Sequence, residues 1–391
     1  MTNRLKFGTF TPPYHPLGGN PTLALKNDIK TVRALEDAGY DEAWFGEHHS
    51  SGWETIPAPE LMIATAAAQT KRIRLGTGVV SLPYHHPFMV AQRMTFLDHL
   101  TEGRAIFGVG SGGLPSDAAM IGLDAELGRR RYEDAFKTIL ELIRSQDAVS
   151  HKTDWYELVE ARVHLPAYSD PHLEIVTAST SSPTGPTLAG RYGVGMLSLG
   201  QWTPTGADSL TKNWGIAQAE ADKQGQTISR DNWRVVGISF VAETEKLARE
   251  MCKSNLGMVF EYLSKTAPFP PVKATDPDDI IDELNDSGVA MIGSPSRAVD
   301  RLNKLVEDTG GFGTYLIMNG DWAAHRDIIR SFDTFADKVM PHFQNQLAAL
   351  ERSFDYVSRP SADDPNLSWT KAKLIDAKAK TANLHAAGPT A

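Results

Sequence analysis

Two histidine pairs, one glycine-rich loop and one hydroxyl-rich run hold most of the chemistry that this chain could perform. Glu47-His48-His49 sets a carboxylate beside two imidazoles, a combination suited to proton transfer or to contact with a cofactor. The same residue types also serve metals. Adjacent residues on an extended strand point in opposite directions, however, so His48 and His49 are poorly placed to share one ion, and no metal is expected. His85-His86 lies between Pro83 and Pro87, where a rigid structural loop is an equal reading. Gly110-Ser111-Gly112-Gly113 offers close backbone approach and bare N–H groups to an anion, or simply a tight turn. Ser179-Thr180-Ser181-Ser182 offers hydroxyls at a helix start, fit for a phosphate or for capping alone.

The elements that must position these residues follow from periodicity. Short apolar runs alternate with segments of helical period, the pattern of βαβ units around a parallel sheet. Leu5–Phe10, Glu42–Phe45, Ile73–Thr77, Ala105–Val109, Leu173–Ala178, Gly195–Leu199, Arg234–Val241 and Thr314–Met318 read as eight strands. Helices are expected over Thr22–Ala38, Pro59–Gln69, Pro87–Leu97, Arg131–Arg144 and Ala323–Met340. Eight strands, each followed by helical material, suggest an α/β fold closed as a (β/α)8 TIM barrel rather than a doubly wound sheet. In such a barrel the loops after the strands' C-terminal ends build the active site. The candidate residues all follow strands two, three, four and five, so they converge on one mouth. Residues 253–295, Pro-rich and acidic, interrupt the pattern as an insertion able to form a lid or an active-site wall. The expected barrel spans 1–343; residues 344–391 read as a partly helical extension.

Composition narrows the classes. The 391 residues are 41% hydrophobic and 22% charged, ample for a large core. A net charge of −9 argues against a nucleic-acid binder. The single cysteine, Cys252, excludes an intramolecular disulfide and a cysteine-based zinc site, and a structural thiol is expected. No apolar run reaches the roughly 18 residues of a membrane span, and no secretory leader is visible, so a cytoplasmic setting is expected.

Taken in order, Phe7-Gly8-Thr9-Phe10, Ala38–His49, Thr70–Pro87, Leu97–Arg104 and Phe107–Gly110 resemble the bacterial-luciferase-like flavin monooxygenases, with looser matches through Gly293-Ser294-Pro295. The resemblance implies a barrel that binds reduced FMN at its strand C-termini and uses O2 to oxygenate a small apolar substrate. It gives His48 the catalytic role, with Glu47 and His49 in the same pocket by adjacency. It places a non-prolyl cis peptide at Gly78-Val79 beneath the flavin and phosphate contacts at Ser179, Thr180 and Ser182. One position departs from the pattern: Ser111, beside Gly112, stands where luciferases carry a phosphate-binding arginine. Backbone amides, hydroxyls, or Arg129, Arg130 or Arg131 must then serve, which leaves FAD open beside FMN. The flavour within the family is similar to limonene-type monoterpene monooxygenases, implying epoxidation of a cyclic alkene. A separate flavin reductase and a homodimer packed through early barrel helices are also implied. A deazaflavin-dependent hydride transfer on the same fold, or a non-catalytic flavin-binding protein, are the alternatives. Phe10, Tyr14, Trp53, Tyr84 and Trp202 could wall an apolar pocket, whereas Trp44 fits ordinary core packing.

Overall fold

The computed structural model describes residues 4–145, 147–180, 182–199, 206–266 and 272–386. Eight parallel strands form the barrel: β1 (Lys6–Thr11), β2 (Glu42–Phe45), β3 (Arg74–Thr77), β4 (Ala105–Gly110), β5 (Glu174–Ser179), β6 (Gly195–Ser198), β7 (Trp233–Val241) and β8 (Thr314–Met318). Neighbours in sequence pair around the ring, and β8 pairs back onto β1 with Phe7 opposite Tyr315, which closes it. Both faces of each strand are covered, so the strands read as continuous apolar runs instead of alternating ones. Phe7, Leu75, Ile106, Phe107, Val176, Leu197, Val235 and Leu316 are all buried.

The helices begin and end where local chemistry tells them to. The helix Pro21–Ala38 starts with proline after Asn20, whose side chain accepts from the Leu23 amide, and stops at Gly39 in the left-handed region. Pro59–Ala67, Pro87–Leu100, Ala125–Arg144 and His325–Lys338 correspond to the other four expected helices, with ends shifted by two or three residues except at Ala125, which precedes the expected start at Arg131 by six. Residues 253–295 differ from a bare insertion. Residue 253 lies inside the helix Glu245–Thr266, which buries Leu256, Val259, Phe260 and Leu263. Beyond it come the helix Pro277–Asp286 and a strand, Ala290–Gly293, paired in parallel with the C-terminal half of β7. That half of β7 extends past its other neighbours, which leaves hydrogen-bonding groups for the extra strand. Cys252 is fully buried in the same long helix, where burial pushes its thiol up to about 12, so it is an inert structural thiol.

The chain divides into two compact units, Met1–Met340 and Pro341–Ala391, three residues earlier than the expected boundary. The second unit carries the helices Ala348–Ser358 and Trp369–Ala386, with Arg359 lying over the rings of Tyr356 and Trp369. Among the described residues, no helix is long and apolar enough to cross a membrane.

Trp44 is core, as its sequence position suggested: it is fully buried and its Nε1 donates to Glu42 Oε2 at 2.9 Å. Its ring fills the space above Gly76, where a Cβ would come within 2.3 Å of the indole. Gly76→Ala is therefore expected to cost about 2–3 kcal/mol by forcing the indole aside, read as a lowered midpoint in urea denaturation.

Candidate active site

The mouth is assembled from the loops after β2, β3, β4 and β5. After β2 the chain runs Gly46-Glu47-His48-His49, anchored by the Gly46 amide on Thr11 O and the His48 amide on Ile56 O. Strand β3 breaks at the cis peptide Gly78-Val79 and resumes as Val80–Ser81 against β4. The Gly-rich loop after β4 leads into the short helix Pro115–Met120.

The three residues of Glu47-His48-His49 separate into two clusters. Glu47 is buried; its Oε1 accepts from His49 Nε2 and His85 Nε2, each at 2.8 Å, and its Oε2 from the Ser81 amide at 3.0 Å. Burial alone would raise this carboxyl, but the two histidines outweigh it and hold the group lowered and ionised. The hydrogen bond to Glu47 in turn raises His49. His48 faces elsewhere. Its Nδ1 lies 3.0 Å from Asp117 Oδ2 and its Nε2 2.8 Å from Glu54 Oε2. Burial would lower the imidazole, yet the two carboxylates push it up to about 9. Glu47 does not orient His48; Glu54 and Asp117 do. His48 therefore stands as an imidazolium near neutrality, a holder of protons and not the half-protonated base that an ordinary histidine would be.

Neither positioning carboxylate stands out in the sequence. Asp117 lies in the first turn of the short helix after the Gly-rich loop, where an acid is a common anchor. It also accepts from the His49 amide at 3.1 Å. Glu54 carried no local signal. Its Oε1 accepts from the Tyr262 hydroxyl at 2.9 Å, and Tyr262 belongs to the long helix after β7. Tyr262 stacks on Trp53 with ring centroids 4.5 Å apart and meets Tyr14 edge-on at 5.7 Å. Three aromatic rings thus wall the mouth beside His48. Phe10 lies against Gly78, and Trp202 falls outside the described residues.

A glycine-lined cavity adjoins this patch. A cavity of about 370 Å³ is lined by Tyr84, Ser111, Gly112, Gly113, Arg129, Ser182 and Thr184, among others. Gly112 takes φ +87°, and a Cβ there would strike the Tyr84 hydroxyl, so glycine keeps the loop close to that ring. Tyr84 meets His49 edge-to-face at 5.7 Å and so joins this cavity to the Glu47 cluster. Of the three candidate arginines, Arg130 pairs with Asp154 and Arg131 lies over Trp155. Arg129 is exposed at the cavity and has no ionic partner among the described residues. Ser111, Gly112 and Ser182 thus come together, whereas Ser179 is buried with its Oγ accepting from Asn213 Nδ2 at 2.7 Å. Thr180 is exposed, its carbonyl accepting from the same amide; Ser181 falls outside the described residues.

The family model for luciferase-like monooxygenases matches residues 5–311. The chain belongs to that family. It is similar to limonene 1,2-monooxygenase of Rhodococcus erythropolis, 43% identical over 363 residues that cover 92% of this chain and 93% of that protein. It is also 41% identical over 358 residues to 4-hydroxyprotoasukamycin monooxygenase of Streptomyces nodosus subsp. asukaensis, covering 91% and 96%. Among solved structures, the oxygenating constituent of 3,6-diketocamphane monooxygenase from Pseudomonas putida, in complex with FMN, superposes with a TM-score of 0.72. It is 25% identical and covers 86% of this chain and 98% of that one. The expected flavin-dependent monooxygenase on a closed (β/α)8 barrel holds, ahead of the deazaflavin and non-catalytic alternatives.

Proposed function

We propose that this chain binds reduced FMN across the mouth, its phosphate in the Arg129 cradle, and oxygenates a cyclic apolar alkene of the limonene type. The observation that carries the reading is the adjacency of that cradle to the His48 and Glu47 clusters through Tyr84 and His49. Backbone amides of Ser111–Gly113, the hydroxyls of Ser182 and Thr184, and Arg129 supply what a phosphate monoester needs, without the arginine usual after strand four. Ser179 and Thr180 act behind them, through Asn213. Bound there, reduced flavin supplies the electrons that activate O2.

The protein's own part is threefold. Gly78-Val79, between Phe10 and Gly110, forms the floor on which a planar ring can rest. Tyr14, Trp53 and Tyr262 exclude water and offer an apolar wall to the substrate. His48, clamped by Glu54 and Asp117, keeps protons at Nδ1 and Nε2 beside the reacting centre. The two relatives near 42% identity bear different substrates in their names, so size selection falls to this aromatic wall.

Arg129→Ala is expected to weaken reduced-FMN binding roughly tenfold, about the 1.5 kcal/mol of one charge-assisted hydrogen bond, in anaerobic fluorescence titration. Unchanged affinity would remove the phosphate from this cradle. We further propose a homodimer. Leu61, Met89, Phe96 and Leu100, on the helices Pro59–Ala67 and Pro87–Leu100, are 49–67% exposed and form the kind of apolar face that a partner covers. A separate NAD(P)H-flavin reductase supplies the reduced cofactor, in a cytoplasmic setting that suits the single buried thiol.

A further inference from the structure

We propose that Glu47, His49 and His85 form a binding site for a divalent transition metal such as Zn2+ or Ni2+, opening into the barrel mouth. One carboxylate oxygen and two imidazole nitrogens converge there: His49 Nε2 and His85 Nε2 each lie 2.8 Å from Glu47 Oε1, and all three atoms fall within 4.8 Å of one another. Ligand atoms about 2.1 Å from a tetrahedral ion sit roughly 3.4 Å apart, so the two Glu47–histidine pairs need open by only about half an ångström, with the two imidazole nitrogens within 4.8 Å of each other. Loop geometry after β2 explains the set. His48 turns away to Glu54 and Asp117, whereas Glu47 and His49, two apart, meet within hydrogen-bond distance. The rigid Pro83–Pro87 loop brings His85 to the same point from the next strand.

The surroundings meet what a metal site requires. The second Glu47 oxygen is held by the Ser81 amide, which fixes the carboxylate's direction as an outer partner should. Glu47 is buried, whereas the His49 and His85 side chains are 29% and 21% exposed, so an ion has an entry path and an open fourth position. His48 is outside the set, engaged by Glu54 and Asp117. Two imidazoles and one carboxylate suit Zn2+, Ni2+, Co2+ or Fe2+ and not Ca2+ or Mg2+, which prefer all-oxygen shells. On binding, the ion takes the place of the protons that the two histidines now share with Glu47, and those protons pass to solvent.

The test uses the full-length protein stripped with chelator, without flavin or substrate, so its outcome is separate from that of the oxygenase reading. Titration calorimetry with Zn2+ should show one saturable equivalent. His49→Ala and His85→Ala should each weaken it at least tenfold, while His99→Ala, which removes an imidazole bonded to Pro166 O, leaves it unchanged. Where an alanine variant misfolds, the wild-type protein still decides: Co2+ should give the intense visible d–d absorption of a four-coordinate site. No saturable equivalent, equal binding in both histidine variants, or only the weak absorption of six-coordinate Co2+ would overturn the proposal.

Discussion

Arg234→Ala should cost about 3–5 kcal/mol of folding stability, the largest loss expected from any single change in the barrel. Arg234 sits near the start of β7 and is fully buried. Its Nη2 donates to Glu42 Oε1 at 2.9 Å and its Nη1 to Glu174 Oε1 at 2.6 Å, tying β2, β5 and β7 together inside the ring. Glu174 also takes Arg74 from the start of β3. Among the described residues, Arg234 is the one cation that reaches both acids; removing it leaves Glu42, wholly out of water, with the Trp44 indole as its side-chain donor. The cluster lies at the N-terminal ends of the strands, away from the mouth, so its contribution is to stability and not to chemistry. Urea denaturation at neutral pH measures the loss, and a change below about 1 kcal/mol would contradict this account. The same network predicts an acid limb. Burial alone would raise the Glu174 carboxyl, but Arg234 and Arg74 pull it down to about 2. A carboxyl lowered on folding stabilises above its unfolded pKa. Up to about 3 kcal/mol is then lost as pH falls from about 4.5 towards 2, and Arg234→Ala should flatten that limb.

His48→Ala is expected to lower oxygenated product per turnover by a factor of about 10²–10⁴, the usual worth of a positioned proton donor. Asp117→Asn and Glu54→Gln keep the imidazole but remove the charge that clamps it, so a smaller drop, roughly tenfold to a hundredfold, is expected from each. These two are positioning residues, and the way they fail identifies them. Reduced-flavin affinity should stay the same, since neither side chain lines the Arg129 cradle, while peroxide rises at the expense of product. Simultaneous measurement of product and hydrogen peroxide separates this from unfolding, which would lower both. Equal coupling in wild type and Asp117→Asn would mean that the clamp serves structure alone.

The strands were legible because each is a short, continuous apolar run, and the eight observed ranges differ from the expected ones by a residue or so. β5, expected from Leu173, begins at Glu174; β1, expected to end at Phe10, ends at Thr11. Their convergence at one mouth was legible too, since it follows from the barrel rule. The pairing of side chains was not. Glu42 and Arg234 are 192 positions apart, and each reads locally as a polar strand end. Glu54 and Tyr262 are 208 apart, one in a loop and one on the C-terminal half of a helix that runs into an apparent insertion. Glu47 could be seen beside His48 in sequence, yet the loop after β2 turns it to His49 and His85. Asp117 crosses from the short helix Pro115–Met120 to take its place. Arg129 was one of three adjacent arginines, and only the partners of its neighbours, Asp154 and Trp155, single it out.

The most direct test of the central claim is a single turnover under isotopically labelled O2, with stoichiometric reduced FMN and limonene preloaded on the protein. The account predicts one labelled oxygen atom in the organic product, with wild-type yield well above that of His48→Ala. Recovery of all the label as hydrogen peroxide, with no labelled product from limonene or any other cyclic alkene tried, would contradict it.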